Sequence, residues 1–111
     1  MNITFQIDSQ YTKTFDFKNL QNNNILIQRV SILDKGYKDD ICLQLDQINN
    51  MQEKNQSYLT CINKIYQSDL VNINVPKTRT WRFYLTDRQG NKIKLNHKIN
   101  VYLNLVLING K

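Results

Sequence analysis

The sequence predicts an all-β protein: a single antiparallel β-sandwich of about eight strands spanning residues 1–111. Three observations carry that expectation. The first is alternation: Trp81, Phe83 and Leu85 alternate with Arg82, Tyr84 and Thr86, and Ile99, Val101, Leu103, Leu105 and Leu107 hold the same period for nine residues. Successive side chains of a strand point to opposite faces, so a period of two means one buried face. The second is composition: the chain has no alanine and one glutamate, while isoleucine alone occurs thirteen times. Good helix formers are scarce and β-branched and aromatic residues are plentiful. The third is spacing, with turn signals recurring every ~8–12 residues.

In chain order, Ile3, Phe5 and Ile7 make a short first strand, and Thr14 to Leu20 (TFDFKNL) reads as a second, with Phe15 and Phe17 on one side. Ile25 to Leu33 (ILIQRVSIL) is a long strand whose apolar residues fall on both parities, which predicts a central position or a bulge. Asp34 to Asp40 is a turn. Ile41, Leu43 and Leu45 alternate with Cys42, Gln44 and Asp46 as a one-sided strand, and Ile48 to Gln56 is a polar loop. Ser57 to Tyr66 reads as one strand. Val71, Ile73 and Val75 form another, which stops at Pro76 because proline has no N–H for a ladder.

In the C-terminal block, Asp87-Arg88-Gln89-Gly90 places aspartate first and glycine last in a tight turn. Aspartate bonds its own backbone there and glycine accepts a positive φ, so a hairpin is expected with Ile93 and Leu95 on its return strand. The final strand then turns apolar on both parities at Leu105, Val106, Leu107 and Ile108. A one-sided strand keeps its outer face polar, so these four residues are candidates for a contact with a second copy; cover within the sandwich itself explains them equally well.

A chain of 111 residues supports one modest core. Sixteen asparagines and eleven lysines point to AT-rich coding. No apolar run approaches the ~20 residues of a membrane span, and MNITFQIDSQ lacks the layout of a signal peptide. The expected setting is therefore a reducing compartment of the host-cell interior. Cys42 and Cys61, with eighteen residues between them, fit no metal or redox spacing and read as separate thiols.

Charge is unevenly spread. Residues 1–76 carry seven Lys/Arg against eight Asp/Glu, whereas residues 77–111 carry eight against one. Lys77, Arg79, Arg82, Lys92, Lys94 and Lys98 are thus candidates for contact with an acidic partner, nucleic acid above all. A solvated sheet with lysine at its outward positions gives the same distribution. Arg79, Trp81, Arg82 and Tyr84 interleave cations and aromatics as single-strand binders do, but strand parity sends Trp81 into the core and leaves one outward aromatic. A carbohydrate-binding sandwich would draw on Tyr37, Tyr58, Tyr66, Tyr84 and Tyr102.

No catalytic, cofactor or metal constellation is legible, so a non-enzyme with no cofactor is expected. His97 lies alone between Asn96 and Lys98 and reads as a solvated loop residue. No serine or cysteine sits in a nucleophile elbow. Asp34, Asp39 and Asp40 lack the spacing of a calcium loop, and three scattered glycines exclude a phosphate-binding fingerprint.

The stretch from Trp81 to Asn96, with Leu85, Thr86, Asp87, Gly90, Ile93, Leu95 and Asn96, followed by Ile99, Val101, Leu103 and Leu105, resembles the C-terminal segment of small capsid-associated proteins of polinton-like viruses and virophages. The likeness covers roughly the last thirty residues, in turn and core positions. It implies a β-sandwich component of a virion, such as a minor capsid, vertex or spike protein, acting as a homo-oligomer with other capsid proteins. The resulting expectation is a non-enzymatic structural protein of jelly-roll type that self-associates. The alternative is a basic β-barrel module for nucleic acid or another acidic ligand.

Overall fold

Every strand outside the central β4 owes its place to where its apolar residues fall. The computed structural model describes residues 1–14, 23–34, 41–46, 59–75 and 80–109, and side chains at 23, 24 and 107–109 lie outside that description. Among the described residues there are eight strands: β1 (Asn2–Ile7), β2 (Gln10–Thr14), β3 (Asn23–Leu33), β4 (Ile41–Leu45), β5 (Thr60–Ile62), β6 (Tyr66–Val75), β7 (Thr80–Thr86) and β8 (Ile99–Asn109).

They form two four-stranded sheets. Sheet A has the order β1-β8-β3-β6 and sheet B the order β2-β7-β4-β5, with every pairing antiparallel. First pairs with last, second with seventh, third with sixth and fourth with fifth, as if one long hairpin had been rolled up. That order is a jelly roll, the double-sheet solution for eight strands. The expected fold class is therefore the observed one.

The core fills from both sheets. Ile3, Phe5 and Ile7 of β1 lie opposite Leu103, Val101 and Ile99 of β8, and all six are buried. Across the sandwich, Phe5 stacks on Tyr11 with ring centroids 4.3 Å apart and meets Phe83 at 4.8 Å, while Trp81 stands edge-on to Phe83 at 6.3 Å. Such ring pairs add about 0.5–1.5 kcal/mol each beyond area burial. Trp81 is fully buried, as parity requires.

β3 explains its own double parity. The register slips between Ile27 and Arg29, so Gln28 is an extra residue against β8. Ile25 and Ile27 before the bulge and Val30 and Ile32 after it consequently all point inward and are buried. The irregularity crosses into β6, where Asn72 adopts φ 48°, a left-handed conformation that asparagine tolerates better than most residues.

Four elements differ from the sequence expectation. The second strand is Gln10–Thr14, earlier than the predicted Thr14–Leu20, whose residues 15–20 lie outside the described ones. QYTKT carries one large inward residue, Tyr11, too little for alternation to register. β4 is buried on both faces, Cys42 and Gln44 included, so it is not one-sided. The predicted strand from Ser57 to Tyr66 is interrupted: β5 ends at Ile62 and β6 begins in the other sheet at Tyr66. β6 does end at Val75, as the following proline predicts.

The turn after β7 forms as read, but its return strand does not. Gly90, at φ 90°, donates its N–H to the Asp87 carbonyl at 3.2 Å. Beyond it the chain makes a single bridge, Thr86 to Lys92. The Ile93 N–H then donates to Leu85 O at 3.0 Å, and the Leu95 N–H to Asp8 O at 2.8 Å. The segment thus crosses from β7 to the β1–β2 connection instead of laddering along one neighbour. Ile93 and Leu95 are half-buried against the core all the same.

Candidate functional site

The strand register sorts the candidate residues by face. Leu105 lies opposite Ile27 on the inner side of sheet A and is buried, so its side chain belongs to the core and is not a subunit contact. Val106 points the other way and is 38% exposed. The side chains of Leu107 and Ile108 lie outside the described residues. The four-residue patch read from the sequence therefore reduces to Val106 among the side chains described.

The larger apolar exposure is elsewhere. Ile65, Tyr66 and Leu70 are 58%, 59% and 60% exposed, at the start and along the length of β6. That strand is an outer strand of sheet A, pairing with β3. Tyr66 sits opposite Leu33 and Leu70 opposite Arg29, on the outer face. Sequence reading missed this group because Tyr66 and Leu70 are four apart in a run that also holds inward Val71, Ile73 and Val75.

The rest of the outer face of sheet A is largely polar, with Arg29 as a charged member. Gln6 Nε2 donates to Asn100 Oδ1 at 3.0 Å, and Asn104 Nδ2 to Asn2 Oδ1 at 2.9 Å. The hydroxyls of Ser31 and Ser68 lie 2.9 Å apart, and Arg29 Nη1 donates to Ser68 Oγ at 2.9 Å. These cross-strand bonds surround Tyr102 and a shallow depression of about 260 Å³.

Of the basic candidates, Arg82, Lys92, Lys94 and Lys98 are all exposed, while Lys77 and Arg79 lie outside the described residues. The Lys92 ammonium stands 5.3 Å from the centre of the Tyr84 ring, so the cation covers an aromatic face on which a base could stack. The arrangement suits phosphate contact more than base stacking.

Two further groupings were invisible in the sequence. His97 is not a merely solvated loop residue: its Nε2 lies 2.6 Å from Asp34 Oδ1, and Asp34 is fully buried. The contact joins the end of β3 to the approach of β8, across 63 positions of sequence. Cys42 lies directly opposite Cys61 on β4 and β5, with the Cys42 thiol donating to Cys61 Sγ at 3.3 Å.

At the β7 turn the carboxylate of Asp87 accepts from the backbone N–H groups of Asn91 and Gln89, both at 2.9 Å, and from the Asn91 amide at 3.1 Å. The Asn91 backbone bond, then its side-chain bond, hold the Asp87 carboxyl below its ordinary value of 3.8, against a smaller opposing effect of desolvation. No group of three or more His, Cys, Asp or Glu side chains within metal-binding reach occurs among the described residues, and no helix there is long and apolar enough to cross a membrane.

Comparison of the chain with protein-family profiles, with curated proteins and with solved structures returns no match. The class is accordingly set by topology: among the described residues, an eight-stranded jelly-roll sandwich whose outer strand β6 exposes Tyr66 and Leu70.

Proposed function

We propose that this jelly roll is a non-enzymatic structural protein that self-associates, in the manner of a minor capsid, vertex or spike component of a virion. One observation carries the self-association. β6 gives ten residues of outer strand with Ile65, Tyr66 and Leu70 exposed beside or along it. Strand edges of soluble proteins are ordinarily guarded by lysine or another charge, since an open edge invites pairing with a second chain. β6 (YQSDLVNINV) contains no lysine or arginine. Its single charge, Asp69, is engaged within the protomer, accepting from Thr60 Oγ1 at 2.8 Å and Gln67 Nε2 at 2.6 Å. The bulge at Asn72 leaves the stretch from Tyr66 to Leu70 as the regular half of this edge.

The favoured occupant is a second copy, meeting the first about a two-fold axis so that the same edge serves both. A specific contact of this kind buries on the order of 1,000 Å² or more. The virion assignment rests on the C-terminal resemblance, and fold alone does not supply it. Multi-angle light scattering tests the assembly step. The expected result is an oligomer that Leu70→Asp dissociates and Val106→Asp weakens; a wild-type monomer at high concentration, indifferent to both substitutions, overturns it.

A basic module for nucleic acid or another acidic ligand is the second reading, favoured by the exposure of Arg82, Lys92, Lys94 and Lys98. Phosphate contacts make affinity fall steeply with salt, so the absence of salt-sensitive polynucleotide binding at low ionic strength removes this reading.

A further inference from the structure

We infer that Cys42 and Cys61 are a covalent modification site: a dithiol that a small-molecule disulfide of the glutathione type converts to a cross-strand disulfide. The inference does not depend on the proposed assembly role. Three observations meet here. The two residues are register partners on adjacent antiparallel strands. Their sulfurs are already 3.3 Å apart, and a disulfide needs about 2.05 Å, a closure that small side-chain rotations cover. Finally, the two thiols differ in access: Cys42 is fully buried, whereas Cys61 is half-buried.

Cys61 also has an approach. It lines a depression of about 430 Å³ together with Thr60, Asn63, Gln67, Asp69 and Arg88. That volume lies within the range of pockets that hold small organic ligands. Arg88 supplies a cationic wall for a reagent carrying carboxylates, beside an Asp69 carboxylate that accepts from Thr60 and Gln67, and the Asn63 amide supplies a neutral polar contact.

The exchange runs in two steps. The Cys61 thiolate attacks one sulfur of the reagent, forming a mixed disulfide and expelling one reagent thiolate. The Cys42 thiolate then attacks the Cys61 sulfur of that mixed disulfide, forming the Cys42–Cys61 bond and expelling the second reagent thiolate. The two protons lost by the protein thiols end on the two reagent thiolates. The protein dithiol is oxidised by two electrons and the reagent disulfide is reduced to two thiols. Excess reagent thiol reverses the sequence. In the oxidised state the three-residue outer strand β5 is tied to β4 by a bond as well as by its ladder.

The test is incubation of the full chain in glutathione redox buffers of graded poise, with acid quenching, intact mass, peptide mapping and thermal unfolding. Under oxidising poise the expected species is a monomer lighter by two hydrogen atoms, with no adduct and with Cys42 and Cys61 linked in the map. Closing a chain segment of this length should raise the midpoint of unfolding by roughly 15 °C. Cys42→Ala should stop at a stable glutathione adduct on Cys61, and Cys61→Ala should leave Cys42 unmodified while the protein is folded. If either variant fails to fold, the wild-type mass and map decide alone. A lasting adduct without internal linkage, disulfide-linked dimers, or persistence of both thiols at oxidising poise would overturn the proposal.

Discussion

Replacing His97 with alanine takes the imidazole away from a carboxylate that has no access to solvent. Asp34 is fully buried, and the His97 side chain is 36% exposed. Truncating one partner of a wholly buried pair costs about 3–5 kcal/mol, and losing a hydrogen bond to a charged group costs about 1.5–3 kcal/mol. Because the His97 ring reaches solvent, water can follow it into the gap and screen the carboxylate, which favours the lower range. The expected loss is about 2 kcal/mol, or a fall of roughly 10 °C in Tm for a domain of this size. Urea unfolding followed by far-UV circular dichroism measures it, with an unchanged m-value if the effect is on stability alone. His97→Gln, which keeps a donor at similar reach, should recover part of the loss. In a double-mutant cycle with Asp34→Asn the two changes should couple by about 1 kcal/mol or more. A loss below about 0.5 kcal/mol, typical of an indifferent surface site, or strict additivity in the cycle, would refute the reasoning.

The β7 turn gives two more expectations. Gly90→Ala should cost about 1 kcal/mol in denaturant unfolding, purely through the positive φ, since a Cβ there meets nothing within 4 Å; Gly90→Asn should cost less, and an alanine variant as stable as wild type would contradict the φ argument. Asp87 has its folded pKa lowered from 3.8, so its contribution is complete above 3.8 and is lost as pH falls through the lower folded value. Thermal scans at acid pH should therefore show a decline near and below that point that Asp87→Asn reduces; identical acid profiles for the two proteins would count against it.

What the sequence made legible was set by how locally each feature is encoded. β1, β7 and β8 announce themselves because each buries one face along its length, and alternation is a property of neighbours. β3 was readable as central or bulged because Ile25, Ile27, Val30 and Ile32 change parity around Gln28, and the slip in register there is the physical reason. The turn at Asp87–Gly90 was readable because its chemistry lies within four residues. Burial of Cys42 and Gln44 on the second face of β4 was not, since it depends on what the fold lays over that face. Nor were the Asp34–His97 and Cys42–Cys61 contacts, which join residues 63 and 19 positions apart. The apolar run around Leu105 leaves a subunit contact and cover within the sandwich equally open, and its register opposite Ile27 decides for the core. The exposed group on β6 escaped notice because strand length and outer position are properties of the sheet.

The rolled-hairpin order has a consequence for the nascent chain. Each of the six strand pairings joins one of β1–β4 to one of β5–β8. Among the described residues neither half contains a strand-to-strand pairing of its own, the second half holding only the isolated Thr86–Lys92 bridge. A ribosome that has released β4 has made four strands and no sheet, and every apolar face in that half waits for a partner not yet synthesised. Folding cannot proceed from the N-terminus by adding finished layers. It must await the second half and then close cooperatively, with the open strand edges of the first half exposed to other chains in the interval.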